Sequence, residues 1–156
     1  MTQIVELNAS HIETLELQPI RKFIDAAPGD FGTYEQQLQF NIDIPRDPSD
    51  PRELSELPEI RLWFLRLDAT CPWLPLLLDW QTGEAARHAA MLVPHQFNRN
   101  EGIQFNPEAL EIYVMGKLMV MADWLKQHNI AGNARLKSFA QLFGYDIDDS
   151  FFELIG

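Results

Sequence analysis

The feature that most constrains this chain is a long amphipathic pattern that begins at Asn106 and predicts a helix. Asparagine is a favoured N-cap residue, Pro107 follows at the first helical position, and Glu108 places an acid in the first turn. Residues on one face then recur at helical spacing as far as about His128, which predicts a helix with that face in a core. The residues of this face are Leu110, Val114, Lys117, Leu118, Met121 and Leu125.

A second helix is predicted to follow, from about Asn133 to Gly144, where glycine suits a helix end. The acidic tail over 146–155 predicts one last turn. The C-terminal third is therefore expected to be helical. The inward side chains are expected to be Leu136, Phe139, Ala140 and Phe143 in the helix, and Phe151, Phe152 and Leu154 in the tail.

Patterns in the first 44 residues predict a strand, a helix and a second strand. The first strand is expected around 4–7. The helix is expected over 18–27, where Pro28 and Gly29 stop it, and the second strand over 38–44. The second strand is the clearest, because apolar and polar residues alternate along it. The apolar residues that carry these predictions are Ile4, Val5 and Leu7, then Ile20, Phe23 and Ile24, then Leu38, Phe40, Ile42 and Ile44.

Four prolines among acids make residues 45–58 a long crossing segment. Within it, Asp50 could cap one short turn, with Pro51 at the first helical position. A helix is expected next, over about 58–69, because Ile60, Trp63, Phe64 and Leu67 lie at helical spacing. A buried strand is the competing interpretation, since Ile60, Leu62 and Phe64 also alternate.

Two interpretations remain open for the region that follows. Residues 75–80 predict a strand, 81–84 a turn, and the run to Phe97 a second strand. The alanine-rich part could equally form a helix that begins at Thr82, so 85–92 is either helix or strand. A second turn over 98–102 is expected to lead into a short strand over 103–105.

Together these elements predict an α+β fold, with a small, mainly antiparallel sheet packed against helices and a helical C-terminal third. We expect residues 1–156 to form one domain, with 45–58 as its proline-rich crossing segment. A domain of this length buries roughly two-thirds of its unfolded surface, and so needs neither a disulfide nor a metal to fold.

Charge and cysteine content exclude several classes of function. The net charge is −11, with the acids concentrated in 1–60 and 145–156 and a nearly neutral middle. Nucleic acid is an unsuitable partner, because phosphate binding needs a basic surface. The lone Cys71 excludes an internal disulfide, a zinc ribbon, an iron–sulfur cluster and a CxxC redox motif.

The N-terminus carries no pattern of a targeting signal. The first basic residue is Arg21, and the first ten residues lack an apolar signal-peptide core. The longest apolar run is far shorter than the roughly 20 residues that cross a bilayer. We therefore expect a cytoplasmic protein without stable membrane insertion.

Residues with catalytic potential form only weak patterns. Asp79, His88, His95 and Cys71 could be combined into a small metal-dependent or cysteine-based hydrolase, but their spacing matches no known ligand or nucleophile motif. Satisfied structural histidines and a buried cysteine are the plainer interpretation. No phosphate-binding loop or GxSxG motif occurs.

A neutral region rich in tryptophan and arginine is more suggestive of protein binding. Trp63, Trp73 and Trp80 follow one another closely beside Arg61, Arg66 and Arg87. Tryptophan and arginine dominate the energetic centres of protein interfaces. Since Trp63 also keeps helical spacing with core residues, a purely structural role competes with docking.

Four phrases of the sequence resemble one known family. RLWFLRLDA at 61–69, PWLPLLLDW at 72–80, AAMLVPHQ at 89–96 and FNPEALE at 105–111 are similar to the chlororespiratory reduction 6 family, small proteins of cyanobacteria and chloroplasts. The resemblance implies a non-enzymatic assembly factor for the photosynthetic NAD(P)H dehydrogenase-like complex. It also implies a client in the hydrophilic arm, the iron–sulfur subunit NdhI, and a stromal location in chloroplast relatives.

This resemblance brings no catalytic residue, cofactor, metal or small-molecule substrate. The expected client surface combines large or polar residues of the family-like phrases and the loop beside them. These residues are Arg61, Arg66, Trp73, Trp80, His95, Gln96 and Arg99.

Overall fold

The computed structural model of the chain describes residues 2–98 and 100–155, and is a mixed fold of helices and two small sheets. In chain order the elements are β1 (Gln3–Asn8), α1 (Ala9–Glu13), α2 (Gln18–Ala26), α3 (Phe31–Tyr34), β2 (Leu38–Asp43), the 3-10 helix Leu54–Glu56, α4 (Pro58–Thr70), the 3-10 helix Leu74–Leu76, α5 (Glu84–Leu92), β3 (His95–Asn98), β4 (Gly102–Phe105), α6 (Pro107–Gln127), α7 (Asn133–Leu142) and α8 (Asp149–Ile155).

The sheet of the N-terminal half is parallel, which corrects the prediction of a mainly antiparallel sheet. β1 pairs with β2 in parallel, with Val5 opposite Phe40, and Leu78 adds a single parallel bridge to Leu38. Among the described residues, only β3 and β4 pair in antiparallel fashion. The reason lies in the connection: α1, α2 and α3 separate β1 from β2, and such a crossover returns the chain in the same direction.

The three helices with the strongest local signals form where the sequence predicts them. α2, α6 and α7 begin at the expected residues and end within two residues of the expected ends. The cap of α6 is also confirmed, because the Asn106 side chain accepts a hydrogen bond from the Ala109 N–H at 3.0 Å. The C-terminal region is therefore helical, as expected.

α4 is a helix, and the competing strand interpretation is wrong. Ile60, Trp63 and Phe64 are buried, whereas Leu62 and Leu65 are about half exposed. A strand would have buried Leu62 with Ile60 and Phe64, because alternate residues share one face of a strand. The observed burial follows the helical period instead.

The predicted strand over 75–80 is wrong, apart from the bridge at Leu78. The chain forms the 3-10 helix Leu74–Leu76 there, with a proline in its first turn, and its apolar run is buried from all sides. Most of the second predicted strand is α5, so the helical alternative for 85–92 is confirmed, and only the end of that run, from His95, is a strand, β3. α5 begins after Gly83, whose φ of 84° is readily adopted only by glycine.

The proline-rich crossing segment contains one short 3-10 turn, placed later than expected. Asp50 does not cap it, because its carboxylate accepts hydrogen bonds from the backbone and guanidinium of Arg52. The turn is Leu54–Glu56, and Glu53 and Glu56 cap each other's backbone groups.

One hydrophobic core joins both halves of the chain. Phe40 of β2 contacts Trp63 and Phe64 of α4 edge to face, with ring centroids 5.9 and 5.2 Å apart. The core continues through α6 and α7 to Phe152 of α8. Leu154 does not dock as expected, because it is 86% exposed on the outer side of that helix. Within 2–98 and 100–155, no helix is long and apolar enough to cross a membrane.

Candidate protein-docking surface

Two of the predicted site residues, Arg61 and His95, each bond to a backbone carbonyl at the C-terminal end of α5. Arg61 Nε donates to the Met91 carbonyl at 3.2 Å. His95 Nδ1 lies 2.9 Å from the Val93 carbonyl, and its Nε2 lies 3.0 Å from the Ser55 hydroxyl. Because a carbonyl can only accept, Nδ1 carries the proton of that bond. His95 therefore anchors β3 to the body, and Gln96 follows it on the exposed part of the strand.

The hairpin formed by β3 and β4 has an apolar face, and the part of this face nearer the hairpin tip is exposed to solvent. His95 pairs with Phe105 at its base, and Phe97 pairs with Ile103 nearer its tip. Phe97 and Ile103 remain 43% and 36% exposed, so this cross-strand pair is available for contact. Gln96 lies on the opposite face by the alternation of a strand. Arg99 lies outside the described residues.

Arg66 belongs to a second exposed surface, the solvent face of α4. It lies one turn after Leu62 and next to Leu65, and all three are exposed. Arg61 lies on the same helix, on the flank that contacts α5. These leucines are not among the predicted site residues, although the helical spacing of the buried residues implies that they face solvent.

The two predicted tryptophans contact the C-terminal helices instead. Trp73 stacks on Trp124 of α6 with ring centroids 4.5 Å apart. Trp80 donates its indole N–H to the Pro75 carbonyl at 2.8 Å and packs against Phe139 of α7. Both residues are half-buried, so each stabilises the fold and leaves part of its surface in solvent.

The residues of the hydrolase alternative have separate structural roles. Asp79 accepts hydrogen bonds from the backbone of Gln81 and from the side chain of Gln39. His95 anchors the hairpin, while His88 and Cys71 are buried in different surroundings. In the described ranges, no three His, Cys, Asp or Glu side chains lie close enough together to hold a metal ion.

Cys71 is expected to be an unreactive thiol. Burial raises its pKa from 9.0 to about 11, which lowers the thiolate fraction at neutral pH about 100-fold. We expect a thiol-specific disulfide reagent at about pH 7.5 to label the folded protein at least that much more slowly than the denatured chain. Equal labelling rates in the two states would contradict the buried environment described here.

A buried polar cluster that the sequence did not predict links three helices. Asp68 of α4 accepts a hydrogen bond from Lys117 of α6, and Lys117 also donates to the Pro72 carbonyl at 3.0 Å. Nε2 of His88 in α5 lies 3.7 Å from the Asp68 carboxylate, too far for a hydrogen bond but close enough for electrostatic contact. Tyr113 lies beside Lys117, with the ammonium 5.8 Å from its ring centre. The one available signal was a lysine on the apolar face of α6.

Burial and charge together shift the pKa values of this cluster in definite directions. Burial lowers the pKa of His88 below 6.5, although the Asp68 carboxylate partly opposes this effect. Burial alone would raise the pKa of Asp68, but His88 and Lys117 outweigh it and lower the pKa below 3.8. At neutral pH the cluster therefore holds a neutral histidine beside a carboxylate–ammonium pair.

Stability is expected to fall as the pH drops below about 6.5, the ordinary pKa of the unfolded histidine. In that range the unfolded chain binds a proton at residue 88, whereas the folded chain does not. Urea unfolding at about pH 7.5 and about pH 5.5 measures the difference. A His88→Leu variant is expected to lose stability less steeply between these two conditions. If that variant lost as much unfolding free energy between the two pH values as the unaltered chain, the assignment to His88 would be contradicted.

Comparison with known families adds one finding. The family model described as chlororespiratory reduction 6 matches residues 7–154 of the chain. No solved structure matches the chain.

Proposed function

Because this chain belongs to the chlororespiratory reduction 6 family, we propose that it is a non-enzymatic assembly factor of the photosynthetic NAD(P)H dehydrogenase-like complex. The observation that carries this proposal is the family match, which covers nearly the whole chain. The family is one of assembly factors, and its role lies in building that complex.

The proposed client is NdhI, the iron–sulfur subunit, bound while the hydrophilic arm is built. With Cys71 as its lone cysteine, the chain lacks the thiolate set that an iron–sulfur cluster requires. Its role toward such a client is to hold or place a protein that carries clusters. In the proposal this takes place in the cytoplasm, or in the stroma of chloroplast relatives.

The proposed client surface lies on α4 and the hairpin. Arg61 and Arg66 of α4, together with Gln96 and the exposed pair of Phe97 and Ile103, supply charge, hydrogen-bonding groups and apolar anchors. A transient interface of modest size needs this combination of an apolar centre and a polar rim. The remaining members of the proposed surface are His95 at the hairpin base, Arg99, which lies outside the described residues, and the exposed parts of Trp73 and Trp80.

The absence of catalysis, of a cofactor and of a small-molecule substrate is part of the same proposal. Two properties of the chain support it. The thiol of Cys71 has a pKa of about 11, far above the range of a reactive nucleophile. His88 is buried beside Asp68 and Lys117, where a substrate has no access.

Affinity capture tests the assembly role directly. A tagged copy is expressed in cells that contain the dehydrogenase-like complex, and the captured proteins are identified by mass spectrometry. Recovery of NdhI or of assembly intermediates, without the mature complex, is the expected result. Recovery of the mature complex would indicate a permanent subunit instead, and recovery of no dehydrogenase subunit would refute the proposal.

Replacing both Phe97 and Ile103 by serine is expected to reduce recovery of the client about tenfold or more, because these side chains are the apolar anchors of the hairpin. Their exposure means that the fold should remain intact, which circular dichroism checks. Ile4→Ser is the matched control, since Ile4 is a strand residue that is 52% exposed outside the proposed surface. Equal losses in the control and the hairpin variant would exclude a specific role for the hairpin.

A further inference from the structure

The solvent face of α4 combines an exposed apolar pair with two arginines. Leu62 and Leu65 are 54% and 46% exposed, one helical turn apart. By the period of the helix, Arg61 lies on one side of this pair and Arg66 on the other. We call this surface, made of Arg61, Leu62, Leu65 and Arg66, the α4 stripe.

Both arginines of the α4 stripe are available to a partner. Within the described residues, the ion pairs of the chain involve other side chains. Arg61 uses only its Nε toward the Met91 carbonyl, which leaves the outer nitrogens of its guanidinium for a further acceptor. In a chain of net charge −11, the stripe thus carries two positive charges, with one exposed acid, Glu59, a turn before Leu62.

α6 carries a contrasting stripe of similar size. Ile112 and Met119 are 75% and 56% exposed, which makes them at least as accessible as the leucines of α4. Their neighbours on the helix surface are acidic, with Glu108 one turn before Ile112 and Asp123 one turn after Met119. The α4 stripe also has an acid one turn beyond each leucine, Glu59 before Leu62 and Asp68 after Leu65, of which Asp68 is paired with Lys117. The two faces therefore share apolar exposure, and what distinguishes the α4 stripe is the arginine on each side of its apolar pair.

We propose that the α4 stripe binds an acidic amphipathic helix of the client, with apolar side chains on Leu62 and Leu65 and carboxylates on Arg61 and Arg66. This inference rests on the proposed function for the existence of a client and adds the chemistry of the bound segment. Charge complementarity selects the occupant, because a basic segment would place like charges against both arginines.

The geometry of the stripe suits a helix lying along α4. Residues spaced by three and four form a continuous line on the surface of such a helix, and its apolar side chains can pack between the two leucines. Guanidinium groups on both sides can then form bidentate hydrogen bonds to carboxylates. Arginine suits this geometry better than lysine, since its planar fork fixes the direction of approach.

Three variants and two photo-crosslinking positions test the inference. Leu62→Ser with Leu65→Ser, and Arg61→Glu with Arg66→Glu, alter the α4 stripe, while Ile112→Ser with Met119→Ser alters α6 as the matched control. Each is used in affinity capture of dehydrogenase subunits, and circular dichroism confirms its fold. A photo-reactive phenylalanine analogue at position 65, or at position 112 as control, then identifies the segment in contact by mass spectrometry.

Both α4 variants are expected to lower recovery of the client about tenfold or more, and the α6 control to leave it unchanged. The crosslink from position 65 is expected on a helical client segment rich in Asp and Glu. Undiminished recovery with the α4 variants, a crosslink to a basic segment, or a crosslink to a second copy of this chain would overturn the inference. In the first two cases the assembly role stands, whereas capture of no dehydrogenase subunit by the unaltered chain refutes the proposed function itself.

Discussion

Replacement of Trp63 by alanine is expected to lower the free energy of unfolding by about 4 kcal/mol, as for other fully buried aromatic residues. The side chain is fully buried and packs edge to face on Phe40 and on Phe64, with ring centroids 5.9 and 5.0 Å away. Its indole N–H also donates to the Glu16 carbonyl at 2.6 Å. One side chain thus joins α4, β2 and the connection between α1 and α2. Urea unfolding followed by far-UV circular dichroism measures the loss.

Trp63→Phe separates the packing from the hydrogen bond. This variant keeps most of the buried ring but removes the donor to Glu16, so a smaller loss of about 1–2 kcal/mol is expected. If Trp63→Ala lowered the free energy of unfolding no more than Trp63→Phe does, packing around this residue would not be what holds the two halves of the core together.

Replacement of Asp68 by alanine is expected to cost about 3 kcal/mol, because it leaves the buried Lys117 ammonium without its carboxylate. This loss lies at the low end of the range for breaking a buried ion pair, because the Asp68 side chain retains 27% exposure and solvent screens part of its charge. The loss also frees His88 from the electrostatic contact with Asp68. Urea unfolding at neutral pH measures the effect.

The double variant Asp68→Leu with Lys117→Met provides the control. Replacing both charges by apolar groups of similar size removes the unpaired ammonium, so most of the lost stability should return. A double variant as unstable as Asp68→Ala would mean that packing of the aspartate, rather than its charge, supports the three helices.

The contrast between α6 and the buried cluster illustrates which parts of the structure were accessible from sequence. The cap and the apolar face of α6 depend on residues that lie close together in the sequence. Their spacing therefore sufficed to predict the helix and to point Lys117 inward. The partner of Lys117 is Asp68, 49 residues earlier in the chain. Local spacing carries no information about such a pairing, and only the packing of α6 against α4 creates it.

The region between α4 and β3 is a second place where local sequence patterns do not determine the structure. Its apolar run from Leu74 to Leu78 is as hydrophobic as a buried strand, yet most of it lies in a turn enclosed by the core. Burial from all sides removes the periodicity that separates helix from strand. The alanine-rich stretch of α5 was ambiguous because alanine fits either element, and packing against α4 decided for the helix.

The residues of the candidate surface could likewise be predicted from the sequence only in part. The four phrases of the sequence identified the family, and they named Arg61, Arg66 and Gln96, which the structure leaves accessible. They did not identify Leu62, Leu65, Phe97 or Ile103, because an apolar residue in a sequence is expected inside until the structure leaves it in solvent. The sequence also named two tryptophans that contact aromatic rings more than 40 residues further along the chain: Trp73 stacks on Trp124, and Trp80 packs at a tilt against Phe139.

By itself, the sequence determined the cap of α6, the helical periods of α2, α4, α6 and α7, the family, and the classes of chemistry that one cysteine and a net charge of −11 exclude. Tertiary structure alone decided the parallel pairing of β1 with β2, the helical state of α5, the cluster around Asp68 and the exposure of the α4 stripe. The physical reason is the range of the interactions involved. Capping and periodicity act over a few residues, whereas pairing, burial and exposure depend on which distant segments come to lie against each other.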